Sequence, residues 1–303
     1  FIISFDGVSG RLMNELIKHD AKFFENFTFF PNVISQGSHT QSSMIGEIYG
    51  SRNYKEYGET IDDMIMNLDK NPTLKNNLIH NSYQNHLIGN YYSDILKDKF
   101  DTVNFFEQYK IESSIKYYLD LLSIIQCKIS FCIDRRMIIS NLYHYIALKT
   151  NLVNYAVISN ADLWQRIYDD FIKNLKSDKN IKNKIFTIHF NQTHSPPSLN
   201  EKCMTVGYKE FLKNYDGKGA QLNAKCTYNN IKKFILKLKE INIFDNSNIL
   251  IKSDHGYSAE HFNKYPYNLG INGNINIGID RFNPFILVKK KNNVNKKFEI
   301  VSE

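Results

Sequence analysis

Asp254, His255 and Gly256 stand in a row directly behind the apolar run Ile249, Leu250 and Ile251. A carboxylate beside an imidazole can ligate a metal ion, or it can cap a loop, and the pair alone does not choose. Three other places end an apolar run in residues of comparable capability. Asp6 and Gly7 follow Phe1 to Phe5 in FIISFDGVSGRL; Thr40 stands in NVISQGSHTQSSM; His194 lies in IFTIHFNQTHSPPS, behind a run that contains His189. Side chains at the carboxyl ends of parallel strands converge on a ligand in α/β proteins, so residues far apart in sequence can meet there.

Each position has a distinct capability. Thr40 is suited to cap a helix rich in Ser42 and Ser43, and equally to attack a phosphoryl group held at the helix N-terminus, where N–H groups and the dipole favour an anion. A hydroxyl is a weak nucleophile until a base or a metal ion lowers its pKa. Asp6, Asp254 and His255, with the Thr40 oxygen as a fourth ligand, form the mixed oxygen and nitrogen set that zinc accepts and manganese tolerates. His194 on its loop could bond a phosphate oxygen, protonate a leaving group or bind a second ion. His189, inside the apolar run, reads as structural, and His39, beside Thr40, as either structural or a phosphate contact.

The elements that must position these residues alternate. Runs rich in Ile, Val and Phe predict strands at Phe1 to Phe5, Asn32 to Ser35, His86 to Gly89, Lys184 to Phe190, Asn248 to Ser253 and Pro284 to Lys289. Helical periodicity falls at Arg11 to Glu25, Ser43 to Tyr49, Thr73 to Ser82, Ala161 to Leu175 and Asn223 to Ile241, and Ile111 to Thr150 reads as mainly helical. Strand alternating with helix implies βαβ units and an α/β fold with a mostly parallel central sheet flanked by helices. No repeat or linker interrupts the chain, which predicts one domain over 1–303 with a helical insertion at 103–160.

At 303 residues, with 42% hydrophobic and 14% aromatic, the chain can bury a large core, which excludes disorder. The net charge of +7 is dispersed, with the KKKNNVNKK stretch its densest part, so a nucleic-acid partner is not expected. No apolar window approaches the roughly 18 residues of a membrane span. The chain opens inside an apolar run without Met and stops at FEIVSE without a closing element, which reads as a domain cut from a longer protein whose anchor or signal lies upstream. The four cysteines form two couples, Cys127 with Cys132 and Cys203 with Cys226; the even number fits two disulfides or four buried thiols, with disulfides preferred, and the spacings do not resemble a zinc site, whose couples are usually tighter.

Taken in order, Asp-Gly after a strand, GSHTQSSM running to YG, THSPP, YNN opening a helix and FDNSNILIKSDHG resemble the alkaline phosphatase and sulfatase superfamily. Within it the chain is most similar to phosphoethanolamine transferases of lipid A and to glycerophosphate transferases of the lipoteichoic acid synthase type. The resemblance runs from Phe1 to about Val288, apart from 103–160. It implies that Asp6, Thr40, Asp254 and His255 bind one metal ion, Zn2+ or else Mn2+. It also implies a phospho-Thr40 intermediate, with His194 contacting the substrate phosphate. True sulfatases carry Cys or Ser in C/S-x-P-x-R; HTQSS has neither the Cys nor the Arg, so sulfate ester hydrolysis is not expected. The phosphoethanolamine transferases carry a further His about a dozen residues past Asp-His, and His261 in SAEHF comes earlier than that. His39, His194 and His261 are therefore the substrate-binding candidates.

The resemblance further implies an extracytoplasmic enzyme, a phospholipid or other phosphodiester donor, a cell-envelope glycan or lipid acceptor, and membrane association through segments beyond this sequence. The rival readings are a phosphodiesterase, phosphatase or sulfatase-like hydrolase at the same site, and a non-catalytic module that binds anionic glycans.

Overall fold

A computed structural model of the protein describes residues 1–35, 37, 40, 43, 67, 84–88, 102–104, 152–177, 184–194, 197–206, 218–257, 280–293 and 297–301. Eight strands form one sheet: β1 (Ile2–Phe5), β2 (Thr28–Phe30), β3 (Gln84–Ile88), β4 (Thr102–Asn104), β5 (Lys184–Phe190), β6 (Ile249–Ser253), β7 (Ile286–Lys289) and β8 (Glu299–Ile300). Their order is β4-β3-β5-β1-β6-β7-β2-β8. The first five in that order are mutually parallel, β7 runs antiparallel to both β6 and β2, and β8 is parallel to β2. This is the expected α/β fold with a mostly parallel sheet.

Register explains which side chains meet. Ile3 pairs with Ile188 on β5 and Ile251 on β6, while Ser4 pairs with His189 and Lys252. Because successive side chains alternate between faces, each such row lies on one face of the sheet. The isoleucine row is buried in the main core with Phe5 and Phe190, each aromatic ring worth about 2 kcal/mol of burial. The polar row of His189, Ser4 and Lys252 lies on the opposite face, and it too is buried.

Three helices supply the rest of the described core: α1 (Gly10–His19), α2 (Leu152–Asn174) and α3 (Lys218–Glu240). Leu12, Met13 and Ile17 of α1, Trp164, Ile167 and Tyr168 of α2, and Ala224, Ile231, Phe234, Ile235 and Leu238 of α3 share it. Their three- and four-residue spacing is the apolar stripe of a helix lying on a sheet. The α1 N-terminus is capped from a distant segment, since Ser9 makes no side-chain cap; Gly10 N–H donates to Asn283 O (2.8 Å) and Arg11 N–H to Asn283 Oδ1 (3.1 Å). Gly10 has a steric reason to be glycine: a Cβ there would lie 2.4 Å from Pro31 O and 2.5 Å from Pro284 O.

Several boundaries differ from the sequence reading. The strand expected at Asn32 to Ser35 lies earlier, at Thr28–Phe30, because Pro31 has no N–H to continue a ladder. Helix α1 stops at His19 instead of Glu25: Asp20 leaves helical geometry, and i to i+3 bonds then carry the chain through tight turns to Phe27. FEIVSE contains a two-residue strand, β8, that the sequence reading did not expect. The expected insertion starts on β4 and ends on α2, and 105–151 lies outside the described residues, as do the helix expected at Thr73 to Ser82 and all but Ser43 of the one expected at Ser43 to Tyr49. Cys203 and Cys226 form a disulfide, which ties the segment after β5 to α3; Cys127 and Cys132 are outside the described residues. Among the described residues no helix is long and apolar enough to cross a membrane.

Candidate active site

The ends of β1, β5 and β6 lie side by side, and the chain uses its own backbone to keep them there. Asp6 N–H continues the ladder to Phe190 O at 3.0 Å, and the Thr193 hydroxyl donates to Asp6 O at 2.6 Å. Asn223 of α3 donates to Thr193 O (3.0 Å), so a helix clamps the loop that clamps Asp6. Gly7 turns the chain at φ +64°, a conformation that an L side chain resists. On β6, the Ser253 hydroxyl donates to Val8 O (2.6 Å) and accepts from Phe285 N–H (3.1 Å), which fixes the strand just before Asp254.

Asp254 Oδ1 accepts two backbone N–H groups, from Gly7 at 3.0 Å and from His255 at 2.8 Å. That leaves Oδ2 directed at His255 Nε2, 3.6 Å away; the same nitrogen lies 3.7 Å from Asp6 Oδ1. His255 Nδ1 is 2.7 Å from Gly256 O. A carbonyl only accepts, so Nδ1 donates to it and Nε2 is the ring nitrogen turned toward the two carboxylates. The Thr40 hydroxyl, buried and helical, donates to the other Asp6 oxygen, Oδ2, at 3.2 Å. The neighbouring hydroxyls of Ser35 and Ser43 both donate to Gly37 O, at 2.7 and 3.0 Å, and hold the segment that leads to Thr40.

The electrostatics of this cluster are unbalanced. Asp6 and Asp254 are 1% and 2% exposed, yet Asp6 Oδ1 and Asp254 Oδ2 accept no hydrogen bond. Burial by itself would raise the Asp254 pKa, but the imidazoles of His255 and His189, the Thr40 hydroxyl and the Gly7 N–H hold it below its usual value. Two buried carboxylates with open lone pairs, faced by an imidazole nitrogen and a hydroxyl, are an oxygen and nitrogen donor set that fits a divalent cation.

The four residues expected to ligate, Asp6, Thr40, Asp254 and His255, converge on this one place. His194 is exposed on the loop after β5, its N–H donating to Asn191 O at 3.1 Å. His39 and His261 lie outside the described residues. One residue read as merely structural joins the cluster. His189 Nε2 is 3.8 Å from Asp6 Oδ2, and ligand atoms of Asp6, His189 and Asp254 all lie within 4.8 Å of one another. Strand parity carried the signal: His189 sits on the polar face of β5, beside Ser4, while Ile188 and Phe190 turn to the core.

The family model described as Sulfatase matches residues 5–293. The chain belongs to the sulfatase family. This sulfatase-family chain shares its fold with solved structures at low identity. One is the phosphonate monoester hydrolase SpPMH from Silicibacter pomeroyi, at 11% identity and TM-score 0.55, covering 100% of this chain and 69% of that one. Another is the lipoteichoic acid synthase LtaP from Listeria monocytogenes, at 12% identity and TM-score 0.51, covering 98% and 66%. A third is a protein in the alkaline phosphatase superfamily from Vibrio parahaemolyticus, at 12% identity and TM-score 0.51, covering 99% and 61%. The chain thus spans about two thirds of the length of these structures or less. No curated protein matches it by sequence. Sulfatase-like members of the alkaline phosphatase superfamily are phosphoryl or sulfuryl transferases or hydrolases, and this sulfatase-family chain is an enzyme of that class.

Proposed function

We propose that the protein is a metal-dependent phosphotransferase that moves a phosphoethanolamine- or glycerophosphate-type group to a cell-envelope glycan or lipid through phospho-Thr40. The observation that carries this reading is the buried Thr40 hydroxyl donating to Asp6 Oδ2 beside two carboxylates and an imidazole. A threonine at the nucleophile position, without the Cys or Arg of the sulfatase motif, favours phosphoryl over sulfuryl chemistry.

Thr40 Oγ1 forms a bond to phosphorus of a phosphodiester donor, the bond from phosphorus to the donor alcohol breaks, and the Thr40 proton ends on that alcohol. An acceptor hydroxyl then attacks phospho-Thr40, and its proton returns to Thr40 Oγ1. Asp6 Oδ2 orients the hydroxyl for the first step. His194, exposed on the loop after β5, would meet substrate from the solvent side and relay the Thr40 proton to the leaving alcohol. A divalent cation, Zn2+ or Mn2+, held by Asp6, Thr40, Asp254 and His255 would lower the Thr40 pKa and offset charge on the phosphoryl oxygens.

A phospholipid donor would bring the reaction to a membrane surface outside the cytoplasm. The Cys203–Cys226 disulfide supports such an oxidising location.

Intact-protein mass spectrometry after incubation with mixed phospholipids and Zn2+ tests the proposal. An adduct of head-group phosphate mass should map to Thr40, name the donor, and vanish in Thr40→Ala. Turnover of a phosphodiester by Thr40→Ala at the wild-type rate would overturn it.

A further inference from the structure

Asp6 presents its two oxygens to two different imidazoles. Oδ1 faces His255 Nε2 at 3.7 Å, and Oδ2 faces His189 Nε2 at 3.8 Å, with the Thr40 hydroxyl 3.2 Å from the same oxygen. Donors that share one zinc ion at about 2.0–2.1 Å stand roughly 3.3–3.4 Å apart in a tetrahedron, so both imidazoles are close to ligand spacing from Asp6. His189 is also held there rigidly. It lies inside β5, in register with Ser4 of β1, and its side chain is 3% exposed.

We propose that His189 is a fifth donor to the cation, on the Thr40 side of Asp6. This rests on reading the cluster as a cation site. Five donors, Asp6, Thr40, His189, Asp254 and His255, move the set away from the four-coordinate geometry of structural zinc. They favour an ion that accepts more than four ligands, which gives Mn2+ a footing beside Zn2+. His189 would also fix the ion's position next to the nucleophile, since it approaches the carboxylate oxygen that Thr40 itself bonds.

The test is scalar coupling between nuclei in protein labelled with 15N-histidine and loaded with 113Cd2+, because coupling across a metal–nitrogen bond reports ligation directly. Two imidazole nitrogens should couple to cadmium in the wild type. One coupling should disappear in His189→Gln and the other in His255→Gln, while both survive in His194→Gln. His189→Gln should also bind Co2+ about 10- to 100-fold more weakly. A single coupled nitrogen in the wild type would overturn the proposal and leave the cation site standing; this readout does not depend on any variant folding. Two couplings that both persist in His189→Gln would also overturn it. Failure of the wild type to take up any cadmium would overturn both this inference and the cation site.

Discussion

Strand β6 lies between two buried charges that the protein treats in opposite ways. Near its start, opposite Ile249, stands Lys289 of β7, 1% exposed. Its ammonium donates to Phe244 O (2.8 Å), Ser247 O (3.2 Å) and Lys290 O (3.2 Å), and lies 4.5 Å from the centre of the Phe244 ring. Burial lowers the Lys289 pKa, and the nearby Asp245 pushes it back up. At the other end stand Asp254 and its neighbour Asp6, with one oxygen each that no hydrogen bond reaches. Both ends bear the desolvation cost of a buried charge, and they differ in what answers it: fixed carbonyls at the lysine, and at Asp254 the imidazoles, the Thr40 hydroxyl and the Gly7 N–H, with one oxygen of each carboxylate left open. A charge answered by fixed carbonyls serves the fold; carboxylates left open by an otherwise well-bonded backbone serve something the chain does not contain.

The sharpest way to break the comparison is Asp254→Asn. The amide oxygen can still accept from Gly7 and His255 N–H, while the new NH2, in place of the oxygen that faces His255 Nε2, offers a cation no lone pair. Activity should fall by roughly 10²- to 10³-fold or more, and the rise in melting temperature on adding Zn2+ or Mn2+ should vanish. Differential scanning fluorimetry with and without cation checks the shift, and a shift as large as that of the wild type would mean that Asp254 holds no cation.

At the opposite edge the loss falls on stability instead. Lys289→Met keeps the length of the side chain but strands the four carbonyls that the ammonium bonds, and should cost about 2–4 kcal/mol in urea unfolding. Its cation-dependent melting shift should match the wild type. A smaller, purely steric loss is expected at Gly10, which lies between the carbonyls of Pro31 and Pro284. Gly10→Ala must push one of these backbones aside, at about 1–3 kcal/mol, and should likewise leave cation binding in place.

The two edges also differ in how visible they were in the sequence. Asp6, Thr40, Asp254 and His255 stood out because each follows an apolar run, and a parallel sheet gathers such ends together. His189 did not, since one imidazole inside KIFTIHF looks like a core residue until the register with Ser4 reveals its face. Lys289 was hidden in a run of three lysines that reads as solvated surface; only the antiparallel turn of β7 onto β6 shows that its side chain is buried. Strand β2 was displaced by the pull of Val33 and Ile34, and Ile34 proves 81% exposed. Local apolarity registers that a segment prefers burial, while Pro31 decides where pairing stops.

The mildest test concerns an ion pair intermediate between the two edges, partly exposed and locally satisfied. Asp20, at the C-terminal end of α1, accepts from Lys232 Nζ at 2.6 Å and from the Tyr228 hydroxyl at 2.5 Å, tying α1 to α3. The Lys232 and Tyr228 hydrogen bonds lower the Asp20 pKa, and burial together with Asp20 raises that of Tyr228. A carboxylate whose pKa is depressed by folding stabilises fully above its unfolded value of about 3.9, and loses that contribution as pH falls through its folded value. Because the Asp20 and Lys232 side chains are each 32% exposed, screening limits the effect to about 0.5 kcal/mol. The urea midpoint of Asp20→Asn should therefore lie slightly below wild type at pH 7, with the gap closing by pH 3. A gap that is unchanged at pH 3 would assign the cost to lost packing between α1 and α3 instead of to charge.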